Sequence, residues 1–295
     1  MRILVAGDSL GLPRPHRINN YNPSEKELAV AYNETYSSIV NHELFQEFQG
    51  SPFIELINRS RRFQTIKGVC QEIWDFLFFY EVDVLVLQVG IVDCWFREEL
   101  DGKQMVNKEE YKLYLEKILE LLSLRPNCRL IMVGICPTSL KMEGRYPGIN
   151  QMINDYNAIL KEKADQKTSF YIDMEAHVKS DHPYQYLLPD DHHLNKEGNK
   201  LVAQKIKAII RGLIYSDMGV ELYNKEDQLE AIKHFSHSFS IYPEYIDNLY
   251  NLLVLSYQMQ EKKLFEQVAQ YVQENNLEQR KSQELQDIIK TLRTE

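Results

Sequence analysis

The sequence has 295 residues, of which 44% are hydrophobic and 26% charged, and its formal net charge is −9 at pH 7. This composition is typical of a globular protein with a sizeable core, and the length is sufficient for two domains. The negative charge argues against nucleic acid as the main partner, because phosphate backbones attract basic surfaces. No stretch has the length and apolarity of a membrane span or of a signal peptide, so we expect a cytoplasmic protein.

Residues 1–213 alternate between strand-like and helix-like patterns. The run Val82–Val89 is almost continuously apolar and β-branched, which is typical of a central strand covered on both faces. Such alternation predicts an α/β fold, with a parallel sheet between two layers of helices. The five predicted strands are Arg2–Ala6, Ile54–Asn58, Val82–Val89, Arg129–Gly134 and Phe170–Asp173. The predicted helices are Glu34–Phe48, Gln64–Phe79, Lys108–Leu122, Gln151–Ala164 and Lys196–Ile214.

Residues 214–295 have helical patterns only, which predicts a second, all-α domain. Small and aromatic residues here resemble a degenerate pair of 34-residue tetratricopeptide repeats, with the second copy starting near Ile246. A plain helical extension is the alternative, and residues 278–295 are expected to form a terminal amphipathic helix. Because two repeats rarely stand alone, we expect them to pack on the first domain, on a protein partner or on a second copy of the chain. The residues of the first copy are Gly219, Ala231, Phe235, Ser238 and Pro243.

The tetrapeptide Gly7–Leu10 places a serine, Ser9, directly after the first predicted strand. Ligands of parallel α/β folds bind at the carboxyl ends of the strands, so Ser9 is a candidate nucleophile. Serine requires a base, usually a histidine that an aspartate orients. Asp190 and His193 stand three residues apart, just before the last predicted helix of the sheet domain, and can supply both groups.

These motifs together resemble the GDSL, or SGNH, hydrolase family over residues 1–213. The resemblance implies a flavodoxin-like three-layer fold with a five-stranded parallel sheet. It also implies that Ser9 is the nucleophile, His193 the general base and Asp190 the residue that orients it. Asp191 and His192 are rival partners within the same loop, and the family register favours Asp190 and His193.

One family motif is altered in this chain. The family has Gly-x-Asn-Asp after the central strand, whereas this chain has Gly90-Ile91-Val92-Asp93. Val92 cannot supply the amide that usually contributes to the oxyanion hole, and the loss of one such donor typically costs about 10²–10³ in rate. The resemblance implies that the Gly90 backbone N–H is a second donor. Asp93 either shapes the substrate site or serves as a helix cap or structural acceptor.

The second family motif usually contains a glycine whose N–H completes the oxyanion hole, and residues 58–63 contain none. A backbone N–H near Arg61 can still serve, and the arginine itself would add a cationic donor that favours an anionic substrate. Asp8, beside the nucleophile, is assigned to the same set of oxyanion and substrate-binding residues. Arg14, in the Pro-rich stretch Gly11–Arg17, and Trp95 are further candidates for walls of the pocket.

The expected activity is therefore serine-dependent hydrolysis of acyl esters, with O-acetyl groups of a carbohydrate or glycan as the expected substrates. Acyl transfer to a sugar hydroxyl uses the same residues and is an alternative. A binding protein that has lost activity and works through its helical repeats is another. The histidines lack metal-ligand spacing and the four cysteines form no CxxC pair, so we expect reduced thiols, no metal and no cofactor.

Overall fold

A computed structural model describes residues 1–15, 28–275 and 283–294. The predicted loop beyond residue 15, and residues 278–282 of the predicted terminal helix, lie outside these ranges. Contacts divide the chain into two units. The first unit is Met1–Ala164 with Thr168–Ile206, and the second is Asp165–Lys167 with Lys207–Glu295. Among the described helices, none combines the length and the apolar character that crossing a membrane demands.

The first unit contains the predicted five-stranded parallel sheet. From one edge to the other, its strands are β4 (Glu55–Asn58), β1 (Arg2–Gly7), β5 (Val84–Gln88), β6 (Arg129–Val133) and β7 (Ser169–Ile172). β5 is buried at every residue, so both faces of the sheet centre are covered, as its apolar sequence predicts. The chain leaves β1 toward β4 on one side and returns to β5 on the other, so β1 lies at the switch point where α/β folds bind ligands.

Helices alternate with these strands and follow the predicted pattern, with several differences in extent. The predicted helix Gln64–Phe79 is an α-helix, Ile66–Trp74, that continues as a π-helical turn, Asp75–Phe79. A short antiparallel pair, β2 (Arg14–Pro15) and β3 (Leu28–Val30), was not predicted. The helices are α1 (Tyr36–Phe48), α2 (Ile66–Trp74), α3 (Ile91–Cys94), α4 (Lys108–Ser123), α5 (Leu140–Arg145), α6 (Ile149–Lys163) and α7 (Lys196–Asn224).

Helix α7 is longer than predicted, since it continues past residue 214 to Asn224. The boundary predicted between residues 213 and 214 therefore lies inside one continuous helix. Gly212 and Gly219 do not end the helix. A Cβ atom at Gly212 would lie 2.8 Å from the Tyr242 side chain, and one at Gly219 would lie 2.6 Å from the Phe235 ring, so each glycine permits close packing.

The second unit is helical, as predicted. Phe235 packs against Gly219, and a buried apolar cluster that includes Leu249, Val268 and Leu285 joins the helices. The helices after α7 are α8 (Gln228–Ile241), α9 (Ile246–Gln258), α10 (Lys262–Glu274) and α11 (Gln283–Thr294). The succession of α8, α9 and α10 is consistent with helical hairpins. The tetratricopeptide type of these hairpins stays a prediction.

Candidate active site

The turn that carries Ser9 begins where β1 ends. Ser9 is the first residue of a single 3₁₀ turn, Ser9–Gly11, and Asp8 caps it by accepting a 2.9 Å hydrogen bond from the Leu10 backbone N–H. The Asp8 N–H donates to the carbonyl of Gln88, at the end of β5, over 3.0 Å. Within the described residues, the Ser9 N–H has no acceptor, so it is available to a ligand.

Close packing against Ser60 fixes the path of this turn. A Cβ atom at Gly7 or Gly11 would lie 2.5 or 2.3 Å from the Ser60 hydroxyl oxygen. The Asn58 side-chain amide donates to the Gly11 carbonyl over 3.1 Å and to the Ser37 hydroxyl over 2.9 Å. The turn is therefore held by the end of β4 and by Ser60 just after it, and the close approach of Ser60 explains the need for two glycines around Ser9.

The loop that carries Asp190 and His193 is closed by its own hydrogen bonds. The Leu188 N–H donates to the His193 carbonyl over 2.7 Å. Asn195 donates from its side-chain amide to carbonyls of the preceding segment and accepts from the Gly198 N–H over 2.9 Å. Asn195 thereby caps the first turn of α7 and ties the loop to it.

Ser9, His193 and Asp190 form one chain of hydrogen bonds. The His193 Nε2 atom lies 3.0 Å from the Ser9 Oγ, and its Nδ1 lies 2.5 Å from Asp190 Oδ2. The other carboxylate oxygen accepts the His193 backbone N–H over 3.1 Å. Because a carboxylate only accepts, Nδ1 carries the proton and Nε2 is left to accept the proton of the serine hydroxyl.

Burial sets the charge states of this pair. Burial lowers the pKa of His193 to about 4, although the hydrogen bond to Asp190 opposes the shift. Burial alone would raise the pKa of Asp190, but its hydrogen bonds and charge interactions with His193, together with the charge interaction with His192, outweigh burial and hold that pKa below its ordinary value. At neutral pH the histidine is therefore an uncharged base beside an ionised carboxylate.

The rival residues of the loop face other partners. The His192 Nδ1 donates to the Asp190 carbonyl over 2.8 Å, and its ring centroid lies 4.0 Å from that of His193. Asp191 accepts a 2.6 Å hydrogen bond from the Tyr184 hydroxyl and lies 3.4 Å from the Lys141 ammonium. Neither residue is bonded to Ser9, so the hydrogen-bonded chain that reaches Ser9 runs through His193 and Asp190.

The three residues open onto a cleft of about 490 Å³. One wall is aromatic, since Trp95 meets both Tyr146 and His192 edge to face, with ring centroids 5.4 and 4.9 Å apart. Arg97 lies 5.2 Å over the Trp95 ring and Arg145 lies 5.3 Å over the Tyr146 ring. The basic residues lining the cleft are Arg14, Arg62, Arg97, Lys141 and Arg145. Lys141 and Arg145 lie on α5 and were not predicted from the sequence, because α5 belongs to no recognised motif.

Two residues of the altered family motif, Ile91 and Val92, line the cleft. Val92 lines the cleft with an apolar side chain that offers no hydrogen-bond donor. Gly90, at φ +145°, precedes α3, and a Cβ atom there would lie 2.3 Å from the Ile135 side chain. The cleft lining includes Ile91 and Val92 but not Gly90.

The structure does not bring Arg61 to the cleft. Its N–H donates to the Gly7 carbonyl over 3.1 Å, and its guanidinium pairs with Glu72 at 2.6 Å. Its neighbours Arg62 and Phe63 line the cleft instead. Phe63 has φ +58°, a left-handed conformation that costs a bulky residue about 1–3 kcal/mol and that changes the direction of the chain beside Arg62.

Asp8 and Asp93 are fully buried and lie outside the lining of the main cleft. Asp93 accepts a 2.9 Å hydrogen bond from the N–H of Ile66, the first residue of α2. This contact corresponds to the predicted alternative in which Asp93 caps a helix. Each residue has one carboxyl oxygen that is bonded to none of the described residues. Burial raises the pKa of Asp8 to about 7 and that of Asp93 to about 8, and the charge of Asp8 adds to the shift at Asp93.

One group of described residues has the composition of a metal site. Ligand atoms of Asp190, His192 and His193 lie within 4.8 Å of one another. The Asp190 and His193 atoms are already bonded to each other, and His193 also contacts Ser9. The cluster is therefore accounted for by the hydrogen-bonded chain described above.

Comparison with known proteins gives a family and a fold. Residues 33–201, more than half of the chain, match the GDSL-like lipase/acylhydrolase family. This stretch contains Asp190 and His193, and Ser9 precedes it. No curated protein matches the chain in sequence.

Three solved structures share the fold at low sequence identity. An alpha/beta hydrolase enzyme from the metagenome of Lake Arreo is 20% identical, with a TM-score of 0.52 over 70% of this chain and 94% of that one. An acetylxylan esterase from Geobacillus stearothermophilus is 18% identical, with a TM-score of 0.52 over 71% and 93%. A lipase/acylhydrolase from Enterococcus faecalis is 14% identical, with a TM-score of 0.52 over 72% and 95%. From the sequence match over residues 33–201, the chain belongs to the GDSL-like lipase/acylhydrolase family, a family of carboxylic-ester hydrolases.

Proposed function

We propose that this chain hydrolyses O-acetyl esters of carbohydrates with Ser9 as nucleophile, His193 as general base and Asp190 as the residue that orients the base. The observation that carries the proposal is the continuous pair of hydrogen bonds, 3.0 and 2.5 Å long, that joins these residues. Their position beside a cleft of about 490 Å³ leaves room for an alcohol much larger than the acetyl group.

The reaction would proceed in two steps. His193 Nε2 takes the Ser9 hydroxyl proton as Oγ attacks the ester carbonyl carbon, and the protonated ring then gives that proton to the departing alcohol oxygen. In the second step, His193 takes a proton from water, the resulting hydroxide attacks the acetyl-serine, and the proton returns to Ser9. Asp190 stays ionised and stabilises the transient imidazolium.

The oxyanion of each step needs donors, and the Ser9 N–H is the available backbone candidate at the nucleophile. The Arg61 N–H is bonded to the Gly7 carbonyl, so the backbone N–H of Arg62, which lines the cleft, is the second candidate donor. The carbohydrate assignment is supported by the aromatic wall of Trp95 and Tyr146, since sugar rings have apolar faces that pack on aromatic rings.

Labelling with a fluorophosphonate and turnover of p-nitrophenyl acetate test the nucleophile. The wild type should be labelled and active, and Ser9→Ala should abolish both properties. Ser123→Ala, at an exposed serine near the end of α4, is the matched control. Labelling that persists in Ser9→Ala would exclude Ser9. With an acetylated sugar as substrate, release of free acetate supports hydrolysis, and acetyl transfer to an added sugar supports the alternative reaction.

We also propose that residues 214–295, which begin within α7, form a tetratricopeptide-like domain that binds a protein or a second copy of this chain. The packing of Phe235 on Gly219 supports this assignment, because a small residue facing an aromatic one is the predicted pattern of the first repeat. Sedimentation velocity of the full chain tests self-association, and a concentration-independent monomer would exclude it.

A further inference from the structure

We propose that the ester substrate carries a carboxylate or phosphate group on its alcohol part, and that Arg14 and Arg62 bind this group. This inference rests on the proposed esterase activity and defines its substrate class. It follows from the charge of the cleft, from polar atoms that have no partner in it, and from the backbone conformation beside Arg62.

The cleft has the opposite charge to the whole chain. The sequence has a formal net charge of −9, yet the cleft is lined by five basic side chains and two carboxylates, Asp190 and Asp191. Asp191 is paired with Lys141, and both oxygens of Asp190 accept hydrogen bonds from His193. The two carboxylates offset only part of the charge of the five basic side chains, so the cleft keeps a net positive charge.

The arginines of the cleft lack acidic partners. In the ranges that the structure describes, none of Arg14, Arg62, Arg97 and Arg145 forms an ion pair, whereas Arg61 outside the cleft pairs with Glu72. A charged group left without a partner is costly when it is partly removed from water. Such a cost is expected where a ligand supplies the missing negative charge.

Arg14 gives the most direct sign of a missing anion. Its Nε atom is buried and donates to no described residue, and the same is true of Arg97. Arg14 lies close enough to Asp190, Arg62 and Asp8 for their charges to affect it, which places it beside the triad. A guanidinium with a free N–H can bind a carboxylate or a phosphate through two parallel hydrogen bonds.

Arg62 adds a second guanidinium that is exposed at the same cleft. The left-handed conformation of Phe63 directly after it is unusual for a bulky residue, and such strain is typical of ligand-binding segments. Because the cleft is far larger than an acetyl group, the anion fits best on the alcohol part of the ester.

Three acetyl esters test the inference: those of methyl glucoside, methyl glucuronide and glucose 1-phosphate, each acetylated at the same hydroxyl. We expect kcat/KM to be about tenfold or more higher for at least one charged ester than for the neutral one, since hydrogen bonds to charged groups are the stronger ones. Preference for the glucuronide indicates a carboxylate site, and preference for the phosphate ester a phosphate site. Equal rates for all three would overturn the inference.

Variants assign the preference to residues. Arg62→Gln and Arg14→Gln should each reduce the ratio of charged to neutral turnover, and Arg14→Lys should restore part of it. Arg59→Gln is the matched control, because Arg59 is an exposed arginine of the same segment that does not line the cleft. An unchanged ratio in Arg62→Gln, whose exposed side chain is not needed for folding, together with an unchanged ratio in Arg14→Gln, would contradict the assignment.

Binding separates this inference from the proposed activity. The Ser9→Ala variant should bind methyl glucuronide or glucose 1-phosphate more tightly than methyl glucoside in isothermal titration, even if no ester is turned over. If the wild type hydrolyses p-nitrophenyl acetate but shows no preference for charged sugars in either assay, the esterase proposal stands and the anion site is refuted.

Discussion

The Nε2 atom of His193 lies 3.0 Å from the Oγ atom of Ser9, although 184 residues separate them in the chain. Ser9 is placed by the turn after β1, and His193 by the loop that Asn195 ties to α7. Two segments, each held by its own hydrogen bonds, thus meet at the carboxyl end of the sheet. The distance between the two atoms is within the range that proton transfer from the hydroxyl to the imidazole requires.

The choice between the two adjacent histidines can be tested by substitution. His193→Gln should lower kcat for p-nitrophenyl acetate by about 10²–10⁴, because the general base is lost. His192→Gln should cause a much smaller loss, since His192 bonds to the Asp190 carbonyl rather than to Ser9. Circular dichroism of both variants controls for folding. A larger loss in His192→Gln would reverse the assignment.

The pH dependence of kcat/KM should show the lowered pKa of His193. The base must be neutral to accept the serine proton, so activity is lost as the pH falls through the folded-state pKa of about 4. We expect activity on p-nitrophenyl acetate to stay level from about pH 8 to about pH 5 and to halve near pH 4. Unfolding must be monitored over the same range. A half-point near the ordinary histidine value of 6.5 would contradict this expectation.

Restoring the missing amide should improve the oxyanion site. Val92→Asn introduces a hydrogen-bond donor at a side chain that lines the cleft. We expect kcat for p-nitrophenyl acetate to rise by about tenfold, a fraction of the 10²–10³ attributed to such donors. Val92→Leu, which adds bulk without a donor, is the control and should not raise kcat. A folded Val92→Asn protein with unchanged kcat would show that other donors already fill this role.

Asp93 should make the protein less stable at alkaline pH. Its folded-state pKa of about 8 lies above the ordinary value of 3.8, so the folded protein retains a proton that the unfolded chain releases. The stability that this proton contributes is complete below about pH 4 and is lost as the pH rises toward 8.

Asp93→Asn keeps an acceptor for the Ile66 N–H and cannot ionise. The wild type should lose a few kcal/mol of unfolding free energy as the pH rises from about 5 to about 9, since one pKa unit corresponds to about 1.4 kcal/mol. The variant should not show this loss, so its stability relative to the wild type should increase by the same amount. Urea unfolding at both pH values measures the difference. Asp101→Asn, at an exposed carboxylate, should change stability by less than about 0.5 kcal/mol at either pH. Parallel pH profiles for the wild type and Asp93→Asn would rule out a buried proton at Asp93.

The sheet was predictable because its strands are short apolar runs that the helices separate. The predicted run Val82–Val89 contains the observed strand Val84–Gln88, and the boundaries differ only at the ends. The end of α7 was not predictable in the same way. The predicted helix stopped at Ile214, between Gly212 and Gly219, whereas in the structure both glycines lie inside α7 and permit close packing against Tyr242 and Phe235.

Residues of the candidate site were predictable where they belong to a sequence motif. They were not predictable where the conformation of a loop determines which side chain lines the cleft. Ser9, Asp190 and His193 belong to short motifs beside recognisable elements. Arg61 and Arg62 are neighbours of the same type, and only the conformation of the turn at Phe63 determines which of them lines the cleft. Lys141 and Arg145 lie on α5, whose six residues are too few for a periodic pattern.

The edge-to-face contact between Trp95 and His192 makes the cleft spectroscopically accessible. The chain has two tryptophans, and the other, Trp74, is an exposed residue of α2. In a Trp74→Phe protein all indole emission would come from the cleft wall, 4.9 Å from an imidazole of the triad loop. Since a protonated imidazole quenches indole fluorescence, Trp95 would respond both to the protonation of that loop and to the arrival of a sugar. The protein thus contains its own optical probe of ligand binding.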